Sequence, residues 1–322
     1  MTVNRRSLLK ASILIPLSSW GGSSVAQSSR GKTLNIVVPA SAGTSIDVTA
    51  RFFSEPLSQK MNRPIAVENK PGTGGLAAYA GLANNPADPN TLMIAGIPMY
   101  LLPLLSQGTK TFNPIDDFTP VTRVARVSFG LVVAAESPYK SVKDLITAMK
   151  DQPDQLTYSS QGVGSAAHLC GALLTHMTNT KAQHVPYKST STATTDVAAG
   201  LVTFTMQPGP SVLSLLQSGK LRLLAVSGIQ RWEAYPDRPT ISESGVPGYE
   251  MSSWLDFIAR KGTPANAVAL LDKQIREIAL TTDYKSFCSK QMIFPESVNH
   301  LELEQQMKTE AEKWQKIVNL IQ

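Results

Sequence analysis

The chain has 322 residues, 42% of them hydrophobic and 17% charged, with 21 glycines and 21 prolines. This ordinary globular composition, at a length that suits two lobes, excludes a disordered, collagenous or disulfide-stapled chain. Thirty basic residues face 24 acidic ones, but Arg5, Arg6 and Lys10 stand in a leader without acids and leave 27 against 24, too small an excess for a nucleic-acid partner, which calls for clustered basic faces.

Residues 1–26 have the layout of an export signal: a cationic start through Lys10, a short apolar run to Trp20, and the small residues Ser24-Val25-Ala26. The apolar stretch is too short for a membrane span, which needs about 20 residues. A soluble periplasmic protein beginning near Gln27 is expected. Arg5-Arg6 suits the twin-arginine route and an ordinary Sec route equally, and no cysteine near the cleavage point offers a lipid attachment site.

From there strand-like and helix-like stretches alternate. Strands are predicted over 33–39, 65–68, 91–95 and, at greater length, 121–135, with helices over 46–61 and 75–84 between them. A central block follows, with helices over 141–150, 165–177, 192–199 and 211–218 and strands over 156–159, 183–185, 202–206 and 221–226. Residues 228–249, rich in Pro and Gly, read as an irregular connection to the apolar run 253–259, and helices over 264–281 and 301–320 close the chain. The alternation predicts an α/β fold of two lobes, each a sheet flanked by helices. Residues 27–122 with 228–322 form the first lobe, 123–227 the inserted second, and small ligands bind in the cleft between such lobes.

Two strand-to-helix junctions carry the chemistry. The first strand runs into Pro39-Ala40-Ser41-Ala42-Gly43-Thr44-Ser45-Ile46-Asp47, and the strand ending at Ser159-Ser160 runs into Gln161-Gly162-Val163-Gly164-Ser165-Ala166-Ala167-His168. The first turn of a helix has N–H groups without internal partners and a partial positive charge, so each junction suits an anion. If the two face one another, the matching ligand is a small molecule with one or two carboxylates. No Lys or Arg lies inside either loop, which favours recognition by main-chain amides and hydroxyls. Gly and Ser also occur at such turns simply to let a chain reverse. A P-loop or dinucleotide fingerprint is not completed.

An ordered set of segments resembles one family: Val38 with Gly43, Asp47 and Arg51; Val67 to Gly75; Asp117 to Val121; Tyr158 to His168; His184-Val185-Pro186-Tyr187-Lys188; Gly219 to Val226; and Arg231, Pro236, Pro239-Thr240, Glu243, Gly245, Pro247-Gly248-Tyr249 and Trp254. From about residue 33 to its end the chain is similar to the periplasmic solute receptors of tripartite tricarboxylate transporters, the TctC or Bug (Bordetella uptake) family. The resemblance implies a periplasmic-binding fold of type II, a carboxylate solute held by the two loops with ordered water, and delivery to a membrane permease. Carried onto this sequence, the ligand-binding positions are Ala42, Gly43, Ser45 and Asp47 in the first lobe and Gly164, Ser165, Ala166 and His168 in the second, with Ser189 and Thr190 after the Pro-Tyr-Lys segment. Thr44, Ser45, Ser189 and Asp256 depart from glycines common in the family, and Thr203 from a common Asp, so the solute is not fixed by the resemblance.

The remaining residues have plainer readings. His168 suits a core or capping role as well as a ligand contact, and Asp47 a helix cap. Asp256 suits either a contact to a ligand's amino group or an exposed acid on a strand. Cys170 and Cys288 are left as free thiols or one pair, and His168, His176, His184 and His300 lack metal-ligand spacing. No cofactor is implied. Gly164-Ser165 is not a nucleophile elbow, which leaves a serine hydrolase, and a sensor that signals to a kinase, as alternatives to a monomeric transport receptor.

Overall fold

A computed structural model describes residues 31–105 and 111–321; the predicted export signal at 1–26 lies outside them. One sheet runs through the described chain in the order β2-β1-β3-β9-β4-β7-β5-β6. The strands are β1 (Leu34–Val38), β2 (Ile65–Asn69), β3 (Thr91–Ala95), β4 (Phe118–Ala134), β5 (Thr157–Ser160), β6 (Gln183–Pro186), β7 (Phe204–Pro208), β8 (Leu221–Val226), β9 (Ser252–Arg260) and β10 (Phe294–Asn299), with β8 and β10 added to β4. Parallel pairing joins β1 to β2 and β3 in one half, and β5 to β6 and β7 in the other. The 17-residue β4 belongs to both: Phe118 to Ser128 pairs antiparallel with β9, and Phe129 to Val133 with β7. The architecture is the two-lobed α/β periplasmic-binding fold.

The helices are α1 (Ser45–Met61), α2 (Leu76–Asn84), α3 (Pro98–Leu105), α4 (Val142–Asp151), α5 (Ala166–Thr178), α6 (Thr190–Ala198), α7 (Gly209–Gln217), α8 (Ala265–Ala279), α9 (Thr282–Lys290) and α10 (His300–Ile321). Alternation along β1 decides which helix packs where. Leu34, Ile36 and Val38 pack in one core with Phe53 and Leu57 of α1 and Ile275 of α8, while Val37 joins Tyr79 of α2 in another. Hydroxyl residues fix several helix starts: Ser141 and Asp144 form a reciprocal capping box before α4, and Ser165 and Ser189 accept from the third amides of α5 and α6.

Most elements lie within two or three residues of the predicted ranges, and three were not anticipated: α3, α9 and β10. The strand expected over 202–206 is shifted to Phe204–Pro208, because Thr203 and Thr157 bond to one another through side chains and amides just ahead of the paired region. Cys170 and Cys288 are both free thiols, buried in separate cores. Asp256 is not exposed, and its carboxylate is not open to a ligand's amino group. It is fully buried and grips Arg123 of β4 with both oxygens, at 2.8 and 3.1 Å. The alternation of β9 sends Asp256 and Trp254 to the face opposite Leu255. Among the described residues no helix is long and apolar enough to cross a membrane.

Candidate functional site

The carboxyl ends of two parallel trios of strands, β1 to β3 and β5 to β7, converge on a cavity of about 100 Å³, the place where α/β sheets receive ligands. In one half the loop after β1 contributes Pro39 to Ser41 and Thr44 to Ile46, the loop after β2 contributes Pro71, Gly72 and Gly74, and Pro98 follows β3. In the other, Gln161 and Ser165 to Ala167 follow β5, Lys188 and Thr190 follow β6, and Gln207 and Pro208 end β7. Val127 and Phe129 of β4 and Leu255 of β9 make an apolar wall. The loops after β2 and β5 touch above it. A methyl added at Gly74 (φ 66°) meets Leu102 of α3 at 3.2 Å and the Gly164 carbonyl carbon at 3.9 Å, and one added at Gly164 (φ 82°) meets the same leucine at 3.1 Å.

Among the helices that start at this cavity are α1 and α5. Thr44 precedes α1 with extended backbone, so the N–H groups of Ser45 and Ile46 point out of the first turn without a partner among the described residues. Ser165 precedes α5 in the same way, its Oγ accepting from the His168 amide at 3.3 Å and its own N–H bonded to Gly162, which leaves Ala166 and Ala167 unpartnered. All four line the cavity.

Of the predicted residues, Ser45, Ser165, Ala166 and Thr190 line the cavity, and Ala42, Gly43, Asp47, Gly164, His168 and Ser189 are not on its wall. Several of the latter shape what is. Asp47 is buried and accepts from Gly43 N, Arg51 Nε and Asn69 Nδ2, each at 2.9 Å, while Asn69 Nδ2 also reaches the Ala40 carbonyl at 3.1 Å. Burial opposes ionisation of Asp47, but these hydrogen bonds and the Arg51 charge outweigh it and hold the carboxyl below its usual range. The Gly43 amide, used by Asp47, is therefore not free for a ligand. Ser189 caps α6 through the Thr192 amide. Sequence reasoning passed over Lys188, Gln161, Gln207 and the Pro71 to Gly74 turn. The resemblance contains Lys188 and that turn, but the expectation of amide recognition gave the lysine no role.

His168 turns from the cavity toward the sheet, where its ring lies 4.5 Å from that of His184 and 6.4 Å from Tyr158. Its Nδ1 is buried without a hydrogen-bond partner. His184 Nε2 lies 2.6 Å from Ser160 Oγ, which also accepts from the Gly162 amide at 3.1 Å, so the pair braces the loop after β5. Burial lowers both imidazoles, and with His168 beside it His184 falls from 6.5 to about 4. A base with a depressed folded pKa leaves the unfolded chain to take the proton first. The contribution of His184 to stability is therefore complete above pH 6.5 and is lost as the pH falls toward 4. Scanning calorimetry from pH 7 to 4 should show a steeper fall in Tm for the native protein than for His184→Gln; parallel slopes overturn the assignment.

A family model described as the tripartite tricarboxylate transporter family receptor matches residues 49–322. The chain is 30% identical over 287 residues to the UPF0065 protein in the tcbD-tcbE intergenic region of Pseudomonas sp. strain P51, covering 88% of this chain and 84% of that protein. Among solved structures, R. palustris Rpa4515 with adipate superposes with a TM-score of 0.85 at 31% identity, covering 90% of this chain and 97% of that one. The periplasmic binding protein BugD superposes at 0.83 and 26%, covering 89% and 96%. The chain therefore belongs to the tripartite tricarboxylate transporter receptor family, the TctC or Bug solute-binding proteins.

Proposed function

We propose that this protein is a periplasmic receptor, exported by residues 1–26 and acting as a monomer, that closes two lobes on a small carboxylate-bearing solute and delivers it to the permease subunits of a tripartite transporter. Residues 27–122 with 228–322 make one lobe and 123–227 the other, meeting within β4. The observation that carries this reading is the set of four unpartnered amides, at Ser45, Ile46, Ala166 and Ala167, brought to one cavity by helix starts from both halves of the sheet. A charge-assisted hydrogen bond contributes about 1.5–3 kcal/mol net, and micromolar affinity corresponds to about 8 kcal/mol. Four such bonds with an apolar wall are enough after ordering losses. Ser45, Ser165, Ala166 and Thr190 then contact the solute, while Asp47, Gly43 and Gly164 set the loops. The similarity to the adipate-bound Rpa4515 supports a carboxylate.

A receptor fits this geometry better than a hydrolase. Ser160 and His184 lie at a nucleophile–base distance, but Ser160 is fully buried and off the cavity wall, and burial makes His184 a weak base. Thermal-shift screening of the mature protein against mono-, di- and tricarboxylates tests the reading. A binding acid at a hundred times its Kd stabilises by about 2.7 kcal/mol and raises Tm. A panel in which no carboxylate raises Tm overturns capture.

A further inference from the structure

The side of the cavity that carries Lys188 differs from the two amide-bearing junctions. Among the described residues, Lys188 is the one charged residue that lines the cavity; it is exposed and has no ion-pair partner, and no carboxylate of those residues lines the same space. It follows the edge strand β6, one strand beyond β5, whose loop supplies the Ala166 and Ala167 amides. Beside it runs a chain of hydrogen bonds with a fixed direction. Thr205 Oγ1 donates to the Ser159 carbonyl at 2.8 Å, so it must accept from Gln207 Nε2 at 3.0 Å. That orients the fully buried Gln207 with Oε1 toward Gln161 Nε2 at 2.6 Å, and the same Gln161 nitrogen donates to Thr190 Oγ1 at 2.9 Å. Thr190 therefore accepts from Gln161 and keeps its own O–H to donate. Gln207 keeps a second N–H. Gln161 Oε1 accepts no bond within this chain, while Lys188 and Thr190 have donors to offer the cavity.

We propose that Lys188, with the amide chain that aims Thr190, sets the specificity of the site: it selects solutes with a second anionic group, joined to the first by an apolar stretch lying on Val127, Phe129 and Leu255, and it rejects solutes with an ammonium group. The proposal rests on the capture reading above and goes on to say which carboxylates are captured. An ammonium in this space meets one lysine and no acid, so it must be desolvated with no carboxylate to answer its charge. A monocarboxylate satisfies the four amides and leaves Lys188 unanswered.

Titration calorimetry of the full mature protein and Lys188→Met distinguishes the outcomes. The probes are saturated α,ω-dicarboxylates of four to eight carbons, the monocarboxylates of matching length, and 2-aminoadipate. The expected result is that the best dicarboxylate binds at least tenfold tighter than its monocarboxylate, and adipate at least tenfold tighter than 2-aminoadipate. Lys188→Met should weaken dicarboxylates about tenfold, equivalent to 1.4 kcal/mol, and leave monocarboxylates within twofold. Equal binding of the two acid classes, a Lys188→Met protein with unchanged dicarboxylate affinity, or 2-aminoadipate binding as tightly as adipate overturns the proposal and leaves capture standing. Failure of every acid to bind the native protein overturns capture itself.

Discussion

A Gly164→Val protein is expected to lose solute affinity by a hundredfold or more in titration calorimetry while still folding. Gly164 has φ 82°, and a Cβ there lies 3.1 Å from Leu102 and 3.3 Å from Leu105. Valine adds two methyls beyond that Cβ against the buried Leu102 and its neighbour Leu105, so the loop after β5 is expected to shift off α3 and to carry the Ala166 and Ala167 amides with it. A hundredfold is about 2.7 kcal/mol, within the worth of two hydrogen bonds to an anion. The left-handed backbone adds a stability loss of about 1–2 kcal/mol. Gly162→Ala separates the two effects. Its φ is 105° and its Cβ meets nothing within 4 Å, so it shares the backbone penalty without the displacement and should bind within a few fold of the native protein. A Gly164→Val protein with native affinity sinks the proposed site.

The largest stability effect is expected at Arg123 and Asp256. The two form a fork at 2.8 and 3.1 Å, Arg123 Nη1 donates to Gln306 of α10 at 2.9 Å, and the guanidinium lies 5.0 Å from the Trp254 ring centroid. Their side chains are 10% and 1% exposed. Removing one partner strands a buried charge, and Asp256→Ala or Arg123→Met should lower unfolding free energy by about 3–5 kcal/mol. Burial raises the Asp256 carboxyl to about 6 against the pull of Arg123, which marks the desolvation penalty the ion pair carries. The double variant Arg123→Met with Asp256→Leu should therefore recover most of the loss. Urea denaturation of the three proteins checks this, and additive losses in the double variant overturn the coupling.

The fold was largely legible because its elements are strongly periodic. β1 alternates Leu34, Ile36 and Val38 about polar Asn35, and α8 places Val268, Leu271 and Ile275 on one face. What escaped has local reasons. α3 reads PMYLLPLL, apolar on every side with two prolines, so it has no polar face to reveal a helical period. β10 begins with Phe294-Pro295, and proline argues against a paired strand except at an edge or a bulge; here the register with β4 shifts between Pro295 and Val298. The two junctions were visible because small residues between a strand and a helix have a chain-local signature. Which groups face the cavity was not, since peptide nitrogens leave no mark on residue identity. Lys188, Gln161 and Gln207 meet only when β5, β6 and β7 lie side by side. The pairing of Asp256 with Arg123 depends on register between β9 and β4, which a single chain position cannot report.

An anchor built from main chain is indifferent to most point mutations around it. The four amides at the mouths of α1 and α5 persist whatever side chains other than proline stand at Ser45, Ile46, Ala166 and Ala167, provided the backbone keeps its turn. On the proposed reading, a receptor of this kind can exchange one solute for another by altering a few flanking positions while its main chain keeps the same grip on a carboxylate.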